Sequence, residues 1–170
     1  MKRILAPLLF LTSFSLVQAQ TSQNNAGASE HNQSGSSNLK LGFSIIPGIT
    51  VGRADSKFIL GGELSLYKTL TPNLESIISA GYTKFFYSHE IEKEKLIPIK
   101  AGLRFYLNSR LYLGMQAGVA LSTTDGGAYF IYSPTIGLKM NKQLEVGFRY
   151  DHISNKPSVF GLASTYKFGL

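Results

Sequence analysis

Eight stretches of two-residue alternation, separated by turn-forming residues, constrain this chain more than any other feature of its sequence. Successive side chains of a β-strand point to opposite faces, so period two marks a strand with two unlike faces. A helix would repeat its apolar positions at three and four. The pattern is clearest in two adjoining runs. In one, Ile97, Ile99, Ala101, Leu103, Phe105 and Leu107 alternate with Lys100, Gly102, Arg104 and Tyr106. In the next, Leu111, Leu113, Met115, Ala117, Val119 and Leu121 alternate with Tyr112, Gly114, Gln116, Gly118 and Ala120. The other six start near Leu39, Phe58, Leu74, Phe130, Leu144 and Phe160. The run from Leu74 to Lys84 is the least regular, because Ile77 falls among its small and polar positions.

The two faces differ in a way that decides their surroundings. One is almost wholly aliphatic and aromatic; the other is glycine, serine, threonine and tyrosine with a few charges of both signs. A water-soluble barrel turns its apolar face inward and covers the outside with long polar side chains. A glycine-rich face suits a narrow interior instead, and apolar runs of roughly nine to eleven residues match a tilted strand crossing the hydrocarbon layer. Lipid would leave an open sheet edge without hydrogen-bond partners, so the strands must close, and eight can. The expected fold is all-β, an eight-stranded antiparallel up-and-down transmembrane β-barrel over residues 39–170. Short connections are expected at Thr69 to Asn73, Asn108 to Arg110 and Asn141 to Gln143. Longer ones are expected at Gly52 to Lys57, Phe85 to Leu96, Ser122 to Gly127 and His152 to Ser158. In such barrels the short turns are periplasmic, which places both ends of the barrel there.

The N-terminal residues read as export chemistry. Lys2 and Arg3 precede an apolar stretch from Ile4 to Val17, and Val17-Gln18-Ala19 offers small-residue cleavage chemistry, so residues 1–19 are expected to be a signal peptide cut after Ala19. Residues 20–38 are polar with hardly any large apolar group and are expected to form a flexible linker. His31 lies within it and is assigned no role. Cysteine is absent, which removes disulfides, thiolate metal sites and cysteine nucleophiles. The formal charge of +7 becomes +5 without Lys2 and Arg3, and the remaining cations are dispersed rather than gathered into a phosphate-binding stripe. Nucleic acid is not an expected partner. His89 beside Glu90 is too little for a metal site, and no cofactor is expected.

Inward-facing charge is expected at Lys40, Glu63, Lys100, Arg104, Lys139, Glu145, Arg149, Asp151 and Lys167. An eight-stranded barrel is just wide enough for side chains to fill it, so these residues are expected to pair into a plug rather than line a pore. The loop segment KFFYSHEIEKEKL is expected to be solvated, with an aromatic rim where the barrel leaves the membrane.

The segments IPIKAGLRFYL and LYLGMQAGVAL, with an ending in Tyr166-Lys167-Phe168, resemble consecutive strands of the small outer-membrane β-barrel proteins of Gram-negative bacteria. The resemblance covers Leu39 to Leu170; members commonly end in phenylalanine, and Leu170 departs from that. It implies a monomer in the bacterial outer membrane, in contact with outer-membrane lipid and lipopolysaccharide and delivered by the barrel-assembly machinery. The expected role is non-enzymatic, in membrane integrity or in surface interaction through the extracellular loops. A second resemblance implies an alternative. His152-Ile153-Ser154-Asn155 is similar to the motif of the outer-membrane lipid A 3-O-deacylases, which would make Ser154 the nucleophile, His152 its base and Asn155 the oxyanion donor. That family orients its histidine with a glutamate from the last strand; the corresponding positions around Phe160 hold no acid.

Overall fold

A computed structural model describes residues 39–52, 56–87 and 94–169. The expectations for the signal peptide, for the linker, for His89 and Glu90, and for Leu170 fall outside those residues. Eight strands follow one another in chain order. They are β1 (Leu39–Val51), β2 (Ser56–Thr71), β3 (Leu74–Tyr87), β4 (Lys95–Tyr106), β5 (Leu111–Ser122), β6 (Ala128–Lys139), β7 (Leu144–Ile153) and β8 (Ser158–Gly169). Each pairs antiparallel with its sequence neighbours, and β1 pairs with β8, so the sheet closes into a barrel with no free edge.

Alternation determines what faces where. Leu41, Phe43, Ile45, Leu64, Ile78, Leu103, Met115, Ile136, Phe148 and Phe160 are all exposed on the outer surface. Phe148 keeps 69% of its surface and Ile78 60%. A soluble protein rarely exposes a contiguous apolar patch beyond a few hundred Å², and here the apolar surface encircles the molecule. The fold is a transmembrane β-barrel with its apolar belt toward lipid.

Two differences from the sequence-based expectation concern β3. The strand continues through Phe85, Phe86 and Tyr87, which had been expected in a loop. Phe85 prolongs the inward series Ser79, Gly81 and Thr83 and is completely buried, and Ile77 is inward by the same phase, facing Tyr67 across the sheet. The irregularity at Ile77 is therefore an apolar side chain inside the lumen.

Glycine on the inner face allows backbones to approach closely. A Cβ on Gly102 would lie 2.6 Å from the Cα of Gln116, and one on Gly118 2.8 Å from the Cα of Lys100. Because the obstacle is backbone and not a flexible side chain, Gly118→Ala is expected to cost about 1–3 kcal/mol by overpacking. A urea titration of the folded barrel in vesicles would show this as a lower midpoint at unchanged slope.

Candidate functional site

Strands β2, β3, β4, β7 and β8 bring charged side chains into a lumen that also receives tyrosines, and the charges sort into two layers. In the layer nearer the long loops, Lys100 Nζ lies 2.9 Å from Glu63 and 4.0 Å from Asp151. Arg149 reaches Glu63 at 3.0 Å through Nη1 and Asp151 at 3.0 Å through Nε. Two cations and two anions form a neutral quartet. Lys100 also donates to Ser133 at 3.5 Å, and Gln116 donates to Ser79 at 3.0 Å on the same level.

The layer nearer the short turns is a second neutral quartet. Arg104 is paired with Glu145, and Lys167 Nζ lies 2.9 Å from Glu145 and 3.0 Å from Glu75. The Tyr106 hydroxyl stands 2.8 Å from Glu75 and 3.2 Å from Glu145. Aromatic rings cover the cations: Arg104 lies 4.0 Å from the Tyr112 ring centre, and Lys167 4.0 Å from that of Tyr67. Burial of this much charge is tolerable because each ion meets a counter-charge and beside it a second charged or polar partner or, for Arg104, an aromatic face.

The two ends of the lumen differ. At the short-turn end a polar vestibule of about 480 Å³ opens between Lys40, Asn73, Glu75, Asn108, Ser109 and Lys139. At the long-loop end Ile59, Phe85, Leu96, Ala120, Ile131, Ile153 and Val159 meet in an apolar cluster that closes the lumen. Between this plug and Asp151 the remaining gap is only about 10 Å³, the room of a single water.

Beyond the plug, residues from three connections join. Lys156, in the β7–β8 turn, is ion-paired with Glu94 and lies 3.0 Å from Asp125 in the β5–β6 loop. Asp125 also accepts from the Tyr129 hydroxyl at 2.6 Å and from the Gly127 N–H at 2.9 Å. The Tyr129 hydrogen bond, with those from Ser122, Gly127 and Lys156, holds the Asp125 carboxyl well below its ordinary range. Partial burial works against the Lys156 charge, but its bonds to Glu94 and Asp125 outweigh that and raise its pKa.

No protein-family model matches this sequence, and no curated protein matches it. Solved structures do. Neisserial surface protein A superposes with a TM-score of 0.56 at 13% identity over 79% of this chain and 98% of that one. Ail, the attachment invasion locus protein of Yersinia pestis, gives a TM-score of 0.52 at 16% identity over 76% of this chain and 96% of its own. The fold is that of the small eight-stranded outer-membrane barrels. A de novo designed transmembrane barrel, TMB2.3, matches as well, with a TM-score of 0.55 at 14% identity over 81% of this chain and 99% of that one. A likeness shared with a designed protein is one of architecture, and it carries no ligand or activity with it.

Within this barrel, Glu63, Lys100, Arg104, Glu145, Arg149, Asp151 and Lys167 all point into the lumen and join the two quartets. Lys40 sits at the mouth, half-exposed and 3.5 Å from Glu75. Lys139 departs from the expected network: it is half-buried at the vestibule rim and makes no ion pair among the described residues. Sequence reasoning missed Glu75, which binds Lys167, Lys40 and Tyr106. Its signal was its phase, two residues before the inward Ile77.

The structure does not assemble His152, Ser154 and Asn155 as the alternative requires. Strand β7 ends at Ile153, so Ser154 lies in a turn instead of continuing the outer face, and its N–H donates to the Phe130 carbonyl at 2.9 Å. Asn155 occupies the left-handed region at φ 61° and serves to turn the chain. The hydroxyl that meets His152 Nδ1, at 3.1 Å, is Ser158 at the start of β8. The rings next to His152 are Tyr132 and Tyr150, with centres 4.9 and 6.4 Å away. Asp151, its sequence neighbour, points inward to Arg149.

Proposed function

We propose that this chain is a non-catalytic integral protein of the bacterial outer membrane that acts at the cell surface through its long-loop end. The observation that carries the reading is the asymmetry of the lumen: two neutral quartets and an apolar plug fill it, leaving the joined loops as the external working surface. The Lys156, Glu94, Asp125 and Tyr129 cluster supports this, because it holds segments from three connections at fixed positions. A named role in attachment for Ail, on the same architecture, points the same way.

The test compares Gram-negative cells expressing the intact chain with cells expressing Asp125→Ala combined with Lys156→Ala, both confirmed as folded barrels. Adhesion of cells to a host-cell monolayer is expected to rise with the intact protein and to fall back with the double variant. Adhesion unchanged by the intact protein would overturn the surface role. Mass spectrometry of lipid A from the same cells addresses catalysis: identical species are expected, whereas loss of an ester-linked acyl chain that His152→Ala prevents would establish the esterase instead.

A further inference from the structure

Where the apolar belt ends beside the short turns, the exposed charge has a single sign. Lys68 follows Leu64 and Leu66 on the outer face of β2, is exposed, and stands opposite Leu39 in the sheet. Arg110 is exposed in the β4–β5 turn and Lys142 in the β6–β7 turn. Each of the three short hairpins thus presents one cation. The nearest acids among the described residues, Glu75 and Glu145, point into the lumen, where Lys167 and Arg104 engage them. They leave the outer cations without neutralisation. At the long-loop end, among the described residues, exposed Lys95 stands beside acids, since Lys156 there is paired with Glu94 and Asp125, and Lys84 lies 5.1 Å from the Phe86 ring centre.

The belt fixes the height of this rim. Residues that flank a hydrocarbon-spanning surface sit among lipid headgroups, where aromatic rings also gather. Tyr166 and Phe168 mark that level on β8, their ring centres 4.7 Å apart in an edge-on contact, and Phe168 faces Leu41, which in turn faces Leu66. Lysine and arginine at this depth extend apolar stems along the barrel and place their charge at the phosphates.

We infer that the short-turn rim selects anionic phospholipid from the leaflet it occupies, with Lys68, Arg110 and Lys142 each drawing a negatively charged headgroup. Each cation near an anionic surface adds a favourable contribution that decays within a Debye length, so the selection is electrostatic and weakens with salt. The inference rests on the bilayer-facing belt, and the experiment separates the two.

Tryptophan is absent from the chain, so one introduced indole reports one place. Phe168→Trp marks the short-turn rim; Phe130→Trp, at an exposed outer position near the opposite end, is the control. The full chain is folded into phosphatidylcholine vesicles containing a minor fraction of phosphatidylglycerol, with bromine carried on one lipid or, at equal mole fraction, on the other. At low salt the indole at 168 is expected to be quenched about twofold more by the brominated anionic lipid. The excess should vanish in high salt and in Lys68→Gln, Arg110→Gln, Lys142→Gln, while the indole at 130 shows no such excess. Equal quenching by both lipids at 168, or an excess that survives the triple substitution, would overturn the inference. Quenching by neither lipid would overturn the bilayer-facing belt, and the inference with it.

Discussion

Glu63→Leu is expected to destabilise the barrel by about 3–5 kcal/mol, the cost of breaking a buried ion pair by removing one partner. Glu63 is 3% exposed and is the shared counter-ion of Lys100 and Arg149, at 2.9 and 3.0 Å. Without it, two buried cations face Asp151 alone. The loss is read as a lower urea midpoint for the folded form in vesicles. Adding Lys100→Met removes the surplus charge and leaves Arg149 with Asp151, a neutral pair already in contact. The double variant should therefore recover much of the loss, a coupling that a double-mutant cycle isolates. No recovery would mean that the carboxylate's volume, and not its charge, is what the lumen needs.

The second large effect concerns the other face. Phe148→Arg puts a cation at the middle of β7, where the side chain is the most exposed of the apolar belt. A lipid-facing arginine near the bilayer midplane costs about 2–4 kcal/mol, falling to about 0–1 near the interface. Phe168→Arg, near the end of β8, should accordingly be almost neutral. The comparison is made by urea titration in vesicles. Were the belt to face water, both substitutions would be harmless, so a silent Phe148→Arg would remove the basis for a membrane location.

The alternation that predicts eight closed strands was legible because it is local: Phe105 and Arg104 declare opposite faces by adjacency alone. The apolar plug was not recognised, although it leaves a trace. Phe58-Ile59, Phe85-Phe86, Leu96-Ile97, Phe130-Ile131 and Val159-Phe160 are apolar doublets toward the long-loop ends of their strands, against one, Ile77-Ile78, nearer a short turn. A strand apolar on both faces at one end only is the signature of a lumen plugged at that end. Partner choice inside the lumen is a different matter. Glu63 meets Arg149 across 86 positions of sequence, and that meeting depends on the stagger of all the strands at closure, which no single strand encodes. The His152 motif misled for a related reason: a four-residue match fixes neighbours in sequence, while the hydroxyl that reaches His152 is supplied by the strand beyond the turn.

The neutrality of the two quartets has an electrical meaning. A potential across a membrane does about 2.3 kcal/mol of work per elementary charge per 100 mV, but only on net charge that lies within the field. Lys100 and Arg149 cancel Glu63 and Asp151, and Arg104 and Lys167 cancel Glu145 and Glu75, so the spanning part of the lumen offers the field no monopole to displace. Most of these ions also make more than one bond, so among its described residues the barrel draws no gating charge from either quartet. Its stability should be indifferent to a Donnan potential across the envelope, however far that potential swings with the ionic strength outside.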